Sequence, residues 1–420
     1  MSNLTNASLL ERRKKVLPNG LGVAFPIFAD KAKNSEIWDV EGKRYIDFIG
    51  GISVLNTGHS HPKIVAAVSE QLQRFSHTSA QITNYESYVE LCEKLCEKAP
   101  ISGDKKAFLL TTGAEAVENA IKIARAKTGR PGVIAFVGGW HGRTLLAMGL
   151  TGKVIPYKKS FGPMPASIFH APFPAPENHI SEEEALRGLE MIFKADIDPS
   201  EVAAMIVEPV QGEGGFHQLT PSYAKKLREI CDKHGIVLIF DEVQSGFGRT
   251  GTLFATEQLG VEPDLMTSAK SLAGGFPISA LIGRADIMDA PQPGGLGGTY
   301  AGSPLGTVAA LQVMQIIEEE GLLARSQAIG EKIASFLTDL NNPKISCVRH
   351  KGAMLAFDVV DSEGNPDVET TNALKAKAFE RGLLLASCGM YFNTIRVMVP
   401  LTVEDSVLDE ALAIIKEALA

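Results

Sequence analysis

The sequence predicts an α/β protein with a large domain on a mostly parallel β-sheet, followed by a smaller α+β domain. Continuous apolar runs alternate with helix-period segments through the middle of the 420-residue chain. Such runs, separated by helices, are typical of parallel sheets buried on both faces. After about residue 305, helices alternate with short strands, which indicates a second domain. A chain of this length also exceeds the size at which one core usually stops growing.

Each predicted element is an apolar run, a helix-period segment or a Pro/Gly-rich loop between such segments. In the large domain, a helix is predicted over residues 114–127, and strands over residues 107–110, 133–137, 202–207, 236–240 and 279–283. A Pro/Gly-rich loop at residues 291–298 precedes a long predicted helix over residues 303–321. Beyond it we predict helices over residues 322–341 and 370–381, and strands over residues 353–359 and 395–399.

Composition and charge argue against several classes of function. The chain is 45% hydrophobic and 21% charged, as is usual for globular proteins, and its net charge of −8 argues against nonspecific nucleic-acid binding. No run approaches the roughly 18–20 apolar residues of a membrane span. The first 20 residues lack the apolar core of a signal peptide. We therefore expect a cytoplasmic protein without a nucleic-acid or membrane partner.

The five cysteines are an odd number, which favours reduced thiols over a disulfide framework. Cys92 and Cys96 lie four residues apart on one face of a predicted helix, but only His77 is near them in sequence. A metal site needs further ligands. We predict a structural role for these cysteines and no metal.

The chemistry of the chain is indicated first by Lys270, which ends a short, mostly apolar segment and precedes glycines. Burial there can lower the pKa of the lysine and leave a nucleophilic amine, able to form a Schiff base with an aldehyde. Asp241, which lies 270 − 241 = 29 residues upstream, ends another predicted strand. Pyridoxal phosphate chemistry needs this pair: a lysine for the aldehyde and a carboxylate for the pyridinium nitrogen.

Residues 111–116 join a predicted strand to a helix, so backbone N–H groups at Gly113 and Ala114 can hold a phosphate together with the helix dipole. An ordinary N-capped helix is the alternative. The cofactor lysine favours the phosphate interpretation.

Trp140, His141 and Arg143 follow the strand at residues 133–137. An aromatic ring at a strand exit can stack on a planar cofactor, and an arginine offers a fork for a substrate carboxylate. A surface loop with a half-buried tryptophan is the alternative. His141 is expected to pack or orient, because the lysine already supplies the acid/base group.

Three further charged residues lie in apolar or glycine-rich surroundings. Glu208 and Glu213 are five residues apart on a glycine-rich turn. We interpret them as carboxylates near a substrate amine and a substrate-binding arginine. A glycosidase pair of carboxylates or a metal site are the alternatives. Arg396 lies inside an apolar strand, where an unpaired charge is costly. It is either a structural ion-pair partner or an anchor for an α-carboxylate.

In combination, these residues resemble the class III (omega-amino acid) aminotransferases of pyridoxal phosphate fold-type I. The similarity covers nearly the whole chain, from residues 38–42 and 55–59 to Arg396. Residues 208–215, 241–251, 273–277 and 297–302 most resemble bacterial members acting on 4-aminobutyrate. The family fold implies a large cofactor-binding domain over residues 61–305 and a small domain over residues 306–420, which residues 1–60 join.

The resemblance also implies the cofactor, pyridoxal 5′-phosphate, and a role for each site residue. Lys270 would bind its aldehyde and shuttle the proton, and Asp241 would keep the ring nitrogen protonated. Further cofactor contacts are implied for Gly113, Ala114, Trp140, His141, Val243, Gln244 and Thr299, the last reaching a neighbouring subunit's phosphate. Substrate contacts are implied for Ile52, Arg143, Glu208, Glu213 and Arg396. Arg143 would bind the distal carboxylate of the substrate, and Arg396 would bind its α-carboxylate. Glu213 would neutralise Arg396 when the substrate has no α-carboxylate.

The implied reaction moves the amino group of 4-aminobutyrate to 2-oxoglutarate, in a homodimer or dimer of dimers with shared active sites. Alternative donors are 5-aminovalerate, β-alanine, ornithine and acetylornithine. An epimerase, an aminomutase or a pyridoxal-binding regulatory protein are more distant alternatives. Two residues depart from the family pattern: Ala114 stands where a serine is common, and Trp140 where a tyrosine or phenylalanine is common.

Overall fold

The computed structural model describes residues 4–175 and 178–420. Its strands, numbered along the chain, are β1 (Ala29–Lys33), β2 (Glu36–Asp39), β3 (Arg44–Asp47), β4 (Lys105–Leu110), β5 (Gly132–Phe136), β6 (Ile168–Ala171), β7 (Val202–Val207), β8 (Val210–Gln211), β9 (His217–Gln218), β10 (Val237–Asp241), β11 (Leu265–Ser268), β12 (Ser279–Arg284), β13 (Ile345–Lys351), β14 (Met354–Val359), β15 (Leu383–Leu384), β16 (Ala386–Cys388) and β17 (Thr394–Val397). Its helices are α1 (Asn6–Val16), α2 (Gly50–Ser53), α3 (Pro62–Arg74), α4 (Glu86–Lys98), α5 (Gly113–Thr128), α6 (Leu145–Leu150), α7 (Glu182–Ala195), α8 (Pro221–His234), α9 (Ala285–Met288), α10 (Pro304–Glu319), α11 (Leu322–Asp339), α12 (Val368–Glu380) and α13 (Asp405–Leu419).

Seven strands form the central sheet in the order β4-β12-β11-β10-β7-β5-β6. The structure confirms the strands that were predicted from apolar runs, which are β4, β5, β7, β10 and β12. It also confirms the helix predicted after the first of them, which is α5. The pairs among β11, β10, β7, β5 and β6 are parallel, whereas β12 runs antiparallel to both of its neighbours. The sheet is therefore mostly parallel, with one reversed strand near an edge.

Both faces of this sheet are buried, as the continuous apolar runs require. Successive side chains of a strand point to opposite faces. Val237 and Ile239 of β10 pack in the cluster that contains α5, whereas Leu238 and Phe240 pack with side chains of α7 and α8. Burying such a side chain contributes about 1.5–3 kcal/mol, so the layers fix the sheet firmly. This arrangement holds Asp241, the last residue of β10, at the carboxyl edge of the sheet.

The C-terminal part has its own antiparallel sheet, in the order β13-β14-β17-β16, and the predicted helices and strands of this part are confirmed. A further sheet, β1-β2-β3-β15, joins the N-terminal strands to the C-terminal part through the parallel pair β3–β15. We propose from this pairing that residues 1–60 and 306–420 form one small domain. Residues 1–3 lie outside the described residues.

None of the described helices combines the length and the hydropathy needed to cross a bilayer. Over residues 4–175 and 178–420, no group of three or more histidine, cysteine or acidic side chains is arranged to hold a metal ion. The five cysteines are free thiols.

Candidate active site

A cavity of about 590 Å³ lies at the carboxyl ends of β10 and β11. Eight predicted site residues line it: Gly113, Ala114, Trp140, His141, Arg143, Asp241, Val243 and Lys270. Side chains at the carboxyl ends of parallel strands meet at one edge of the sheet, which explains how distant segments converge here. The volume is in the usual range for a small-molecule site.

Lys270 begins the 3-10 turn Lys270–Ala273, which follows β11 after one residue. Its φ is +43°, a left-handed conformation that strains a residue with a Cβ and that concentrates at functional sites. The side chain lies half-buried in the cavity wall, with Nζ 5.9 Å from the centroid of the Trp140 ring. Burial lowers the pKa of the amine to about 8, although the charge of Glu213 opposes this shift. The result is an amine that is readily deprotonated.

Asp241 is buried and held by three donors. Its Oδ1 accepts hydrogen bonds from Thr267 Oγ1 at 2.9 Å and the Val243 backbone N–H at 3.1 Å, and its Oδ2 accepts from His141 Nδ1 at 2.7 Å. Burial disfavours charge on His141, but the hydrogen bond and charge of Asp241 outweigh it and raise the histidine's pKa. The carboxylate is therefore fixed in position beside the cavity by these hydrogen bonds, and the packing or orienting role of His141 stays a prediction.

The N-terminus of α5 forms another wall. Thr112 caps the helix by accepting from the Glu115 N–H, and the Glu115 side chain accepts from the N–H groups of Thr111 and Thr112. The first N–H groups of a helix have no acceptor within the helix, so those of Gly113 and Ala114 can hold an anion. Gly113 leaves little room for a side chain, because an added Cβ would lie 3.0 Å from Val243 Cγ1.

Two of the predicted site residues are arginines in different surroundings, Arg143 and Arg396. Arg143 is exposed in the cavity, with its guanidinium carbon 6.0 Å from the Trp140 ring centroid and 5.0 Å from that of Tyr157. Arg396, in β17, forms a buried ion pair with Glu213 through Nη1 and Oε1. Burial would raise the pKa of Glu213, but the charge of Arg396 and the hydrogen bond between them hold it below its ordinary value.

The other predicted residues lie outside the cavity lining: Ile52, Glu208, Glu213, Gln244, Thr299 and Arg396. Glu208 accepts from the N–H groups of Trp140 at 2.8 Å and Gly212 at 3.0 Å, and burial raises its pKa to about 7. Gln244 is buried, with Oε1 lacking a hydrogen-bond partner. Ile52 and Thr299 are exposed. Their individual roles stay predictions.

Sequence reasoning missed two residues of the site. Thr267 is the register partner of Asp241 in the parallel pair β10–β11, so pairing the two strand ends could have identified it. Tyr157 lies in an irregular segment between α6 and β6, and no spacing or periodicity pointed to it.

These groups fit pyridoxal 5′-phosphate. Lys270 offers an amine for the aldehyde, Asp241 a held carboxylate for the ring nitrogen, and the start of α5 a seat for the phosphate. Trp140 and Val243 supply apolar walls.

The family model of the class-III aminotransferases matches residues 19–419. The chain belongs to this family. It is thus a pyridoxal-phosphate-dependent aminotransferase with the fold-type I architecture, as predicted.

Relatives of this aminotransferase extend over its whole length. It is 55% identical over 419 residues to a 5-aminovalerate aminotransferase of Pseudomonas putida, covering 99% of each chain. It is 51% identical over 417 residues to the 4-aminobutyrate aminotransferase of Escherichia coli, covering 98% of each. Among solved structures, the ornithine aminotransferase of Toxoplasma gondii, described with pyridoxal phosphate at its active site, matches with a TM-score of 0.87 and 30% identity over 99% of this chain and 94% of that one.

Proposed function

We propose that this aminotransferase moves the amino group of 4-aminobutyrate to 2-oxoglutarate, giving succinic semialdehyde and glutamate. The observation that carries the proposal is the Glu213–Arg396 ion pair, together with Arg143 in the cavity wall. One arginine is neutralised from within the protein while the other faces the cavity. A substrate with one carboxylate and a substrate with two can then use the same site. The relative from Escherichia coli is named for 4-aminobutyrate.

When bound, pyridoxal phosphate supplies an aldehyde and an electron-withdrawing ring. Lys270 would bind the aldehyde carbon and then take and return the proton at the substrate carbon, a task suited to an amine with a pKa of about 8. Asp241 would hold the proton on the ring nitrogen, because an ionised carboxylate favours the nearby positive charge. Gly113 and Ala114 would bind the phosphate, and Gln244 would contact the phenolic oxygen.

The two half-reactions would differ in what meets Arg396. In 4-aminobutyrate the only carboxylate would bind to Arg143, and Glu213 would stay on Arg396. Glutamate and 2-oxoglutarate would bring an α-carboxylate to Arg396, which would displace Glu213. A carboxylate and a guanidinium form a two-point, charge-assisted contact, so the exchange would replace one pair by another of similar strength.

A second candidate donor is 5-aminovalerate. The relative of Pseudomonas putida named for this donor is 55% identical to the chain, against 51% for the relative named for 4-aminobutyrate. The two molecules differ by one methylene group, and such a difference in an apolar pocket changes binding by only about 1–3 kcal/mol.

We further propose a homodimer or dimer of dimers that works in the cytoplasm. Thr299 is exposed and lies outside the cavity of its own chain, which is consistent with a contact to a neighbouring subunit's phosphate. The five free thiols suit a reducing compartment.

The test is to follow the two half-reactions separately on the cofactor-loaded protein. Adding 4-aminobutyrate should change the visible absorption of the cofactor, and 2-oxoglutarate should restore it. The same measurement with 5-aminovalerate ranks the two donors. An absorption change with ornithine but with neither of these donors, or a change that 2-oxoglutarate cannot reverse, would overturn the proposal.

A further inference from the structure

Tyr157 contacts both carboxylate-binding ends of the site. Its hydroxyl donates a hydrogen bond to Glu213 Oε2 at 3.2 Å, while Glu213 Oε1 is bound to Arg396. Its ring lies 5.0 Å from the guanidinium carbon of Arg143 and meets the Trp140 ring edge-on at 6.0 Å. One side chain therefore contacts the arginine in the cavity and the carboxylate that neutralises the other arginine.

The segment carrying Tyr157 is fixed to the loop that carries Trp140 and Arg143. Gly152 N–H donates to Gly139 O at 2.7 Å, and Gly138 N–H donates to Gly152 O at 3.1 Å. An added Cβ at Gly152 would collide with the backbone of residues 136–138, so the two segments approach as closely as a glycine permits. The Tyr157 ring thus has a defined place beside Arg143.

A second set of contacts fixes the same segment to Glu213. The buried Lys153 amine donates to Gly389 O at 2.6 Å and lies 3.7 Å from the Phe392 ring centroid. Gly389 N–H in turn donates to the backbone carbonyl of Glu213 at 3.0 Å. Tyr157 and Glu213 are therefore held together through the backbone as well as through the hydroxyl.

We propose that Tyr157 is a specificity-determining residue, which holds Glu213 on Arg396 while the site receives an omega-amino acid. The inference rests on the proposed function, because it needs two substrates that differ in whether an α-carboxylate reaches Arg396.

The hydroxyl and the ring of Tyr157 have separate effects. With both oxygens bound, Glu213 is held more firmly on Arg396 than by the ion pair alone, which favours substrates without an α-carboxylate. An α-carboxylate must displace Glu213 and so break or weaken the Tyr157 bond. Burial raises the pKa of the phenol, so it remains a donor. The ring orients Arg143 by a cation–π contact and so serves both substrates.

The test compares the two half-reactions in Tyr157→Phe, which keeps the ring and removes the hydroxyl. We expect kcat/KM for 4-aminobutyrate to fall roughly tenfold, as for loss of one hydrogen bond to a charged group. The value for 2-oxoglutarate should stay constant or rise. Tyr223→Phe is the matched control, because the Tyr223 hydroxyl is buried without a hydrogen-bond partner in the core beneath the sheet, and it should leave the ratio of the two values unchanged.

Two further variants separate positioning from a general structural effect. Tyr157→Leu also removes the ring beside Arg143, so kcat/KM for 2-oxoglutarate should fall as well. In an E213Q background, Tyr157→Phe should change the ratio of kcat/KM for 4-aminobutyrate to kcat/KM for 2-oxoglutarate by less than about twofold. If Tyr157 acts through Glu213, altering Glu213 first removes most of the effect of Tyr157. An undiminished change of ratio in that background would contradict action through Glu213.

The outcomes distinguish the inference from the function on which it rests. A wild-type protein inert toward both substrates would overturn the proposed function and this inference together. If the wild type is active on both substrates and Tyr157→Phe has the same ratio of the two kcat/KM values, the inference is overturned but the proposed function stands. An equal fall of kcat/KM for both substrates in Tyr157→Phe would contradict the inference, because the hydroxyl would then have only a structural role.

Discussion

The charges of the candidate site depend on how much water each group loses. The amine of Lys270 lies among protein groups near the Trp140 ring, and burial brings its pKa down to about 8. Burial raises the pKa of Glu208 to about 7, whereas Arg396 keeps that of Glu213 below its ordinary value despite similar surroundings. The pKa values of these two glutamates, five residues apart, thus shift in opposite directions because only Glu213 has an arginine partner.

The low pKa of Lys270 predicts how the cofactor-free protein captures pyridoxal phosphate. Only the neutral amine attacks an aldehyde, so the capture rate should rise about tenfold per pH unit below the pKa and level off above it. The midpoint should lie near pH 8, as stopped-flow absorbance at a series of pH values would show. A midpoint near 10.5, the ordinary value of a lysine, would contradict the effect of burial.

Arg396→Ala should harm the two half-reactions unequally. The variant would remove the proposed anchor for the α-carboxylate of 2-oxoglutarate, whereas 4-aminobutyrate has no group for that position. Loss of a charged contact of this kind corresponds to roughly a tenfold to hundredfold drop in kcat/KM for 2-oxoglutarate. Single-turnover absorbance with each substrate measures the split. Equal damage to both half-reactions would refute the division of labour between Arg143 and Arg396.

Residue type and position predicted part of the site, and the rest depends on contacts that a sequence does not display. Lys270 and Asp241 could be singled out because each ends an apolar strand, and they line the same cavity. The burial of Arg396 called for a partner, which is Glu213. Tyr157 reaches the site from an irregular loop, through a close approach of two glycine-rich backbones that no local pattern reveals.

At the scale of elements, the start of α5 combines a capped helix with the proposed phosphate site. Thr112 and Glu115 satisfy one another's backbone N–H groups, which leaves those of Gly113 and Ala114 for a ligand. A serine at position 114 would add a hydroxyl donor at this helix start. If the cofactor phosphate binds here as proposed, backbone N–H groups hold it without that hydroxyl.

Ala114→Ser should therefore tighten cofactor binding. One added hydrogen bond to a charged group contributes about 1.5–3 kcal/mol, so the Kd for pyridoxal phosphate should fall about tenfold or more. Titration of the cofactor-free protein with pyridoxal phosphate measures this directly. Ala126→Ser, at an exposed position of the same helix, is the control and should not change the Kd. Unchanged or weaker binding in Ala114→Ser would contradict a phosphate seat at this turn.

The prediction of elements succeeded for the long apolar strands and missed short or exposed ones, such as β6 and β1. Strand β1 reads Ala-Asp-Lys-Ala-Lys and is mostly exposed, so it carries no apolar run and was not predicted. The reversed direction of β12 was also beyond reach, because a strand buried on both faces has the same pattern in either direction. The turn at Gly50–Ser53, with four successive positive φ values, left no sequence signal beyond its two glycines.

At the scale of the whole molecule, Arg249 connects three parts of the chain. Its fully buried guanidinium donates to Val399 O at 2.7 Å and Ala353 O at 3.4 Å in the C-terminal part, and to Asn56 Oδ1 in the N-terminal segment. Burial lowers its pKa to about 9. The arginine thus bonds the large sheet domain to both segments of the proposed small domain.

Arg249→Met should destabilise the protein. The variant relieves burial of a charge, but it takes a donor from three acceptors, each of which costs about 1–3 kcal/mol if left unpaired. We expect the free energy of unfolding to fall by about 3 kcal/mol, measured by urea unfolding followed by circular dichroism. Arg284→Met removes an arginine that is 51% exposed and should change it by less than about 1 kcal/mol. A variant as stable as the wild type would contradict the bridging role.

The most direct test of the account is to find which atom of the protein binds pyridoxal phosphate. Borohydride reduction of the loaded protein followed by peptide mass spectrometry should locate the cofactor on Lys270. Lys270→Ala should lose this label, the visible absorption and turnover. Lys153→Met, at a more deeply buried lysine, should keep the label on Lys270. A label on any other lysine of the wild type, or a protein that stays colourless with excess pyridoxal phosphate, would contradict it.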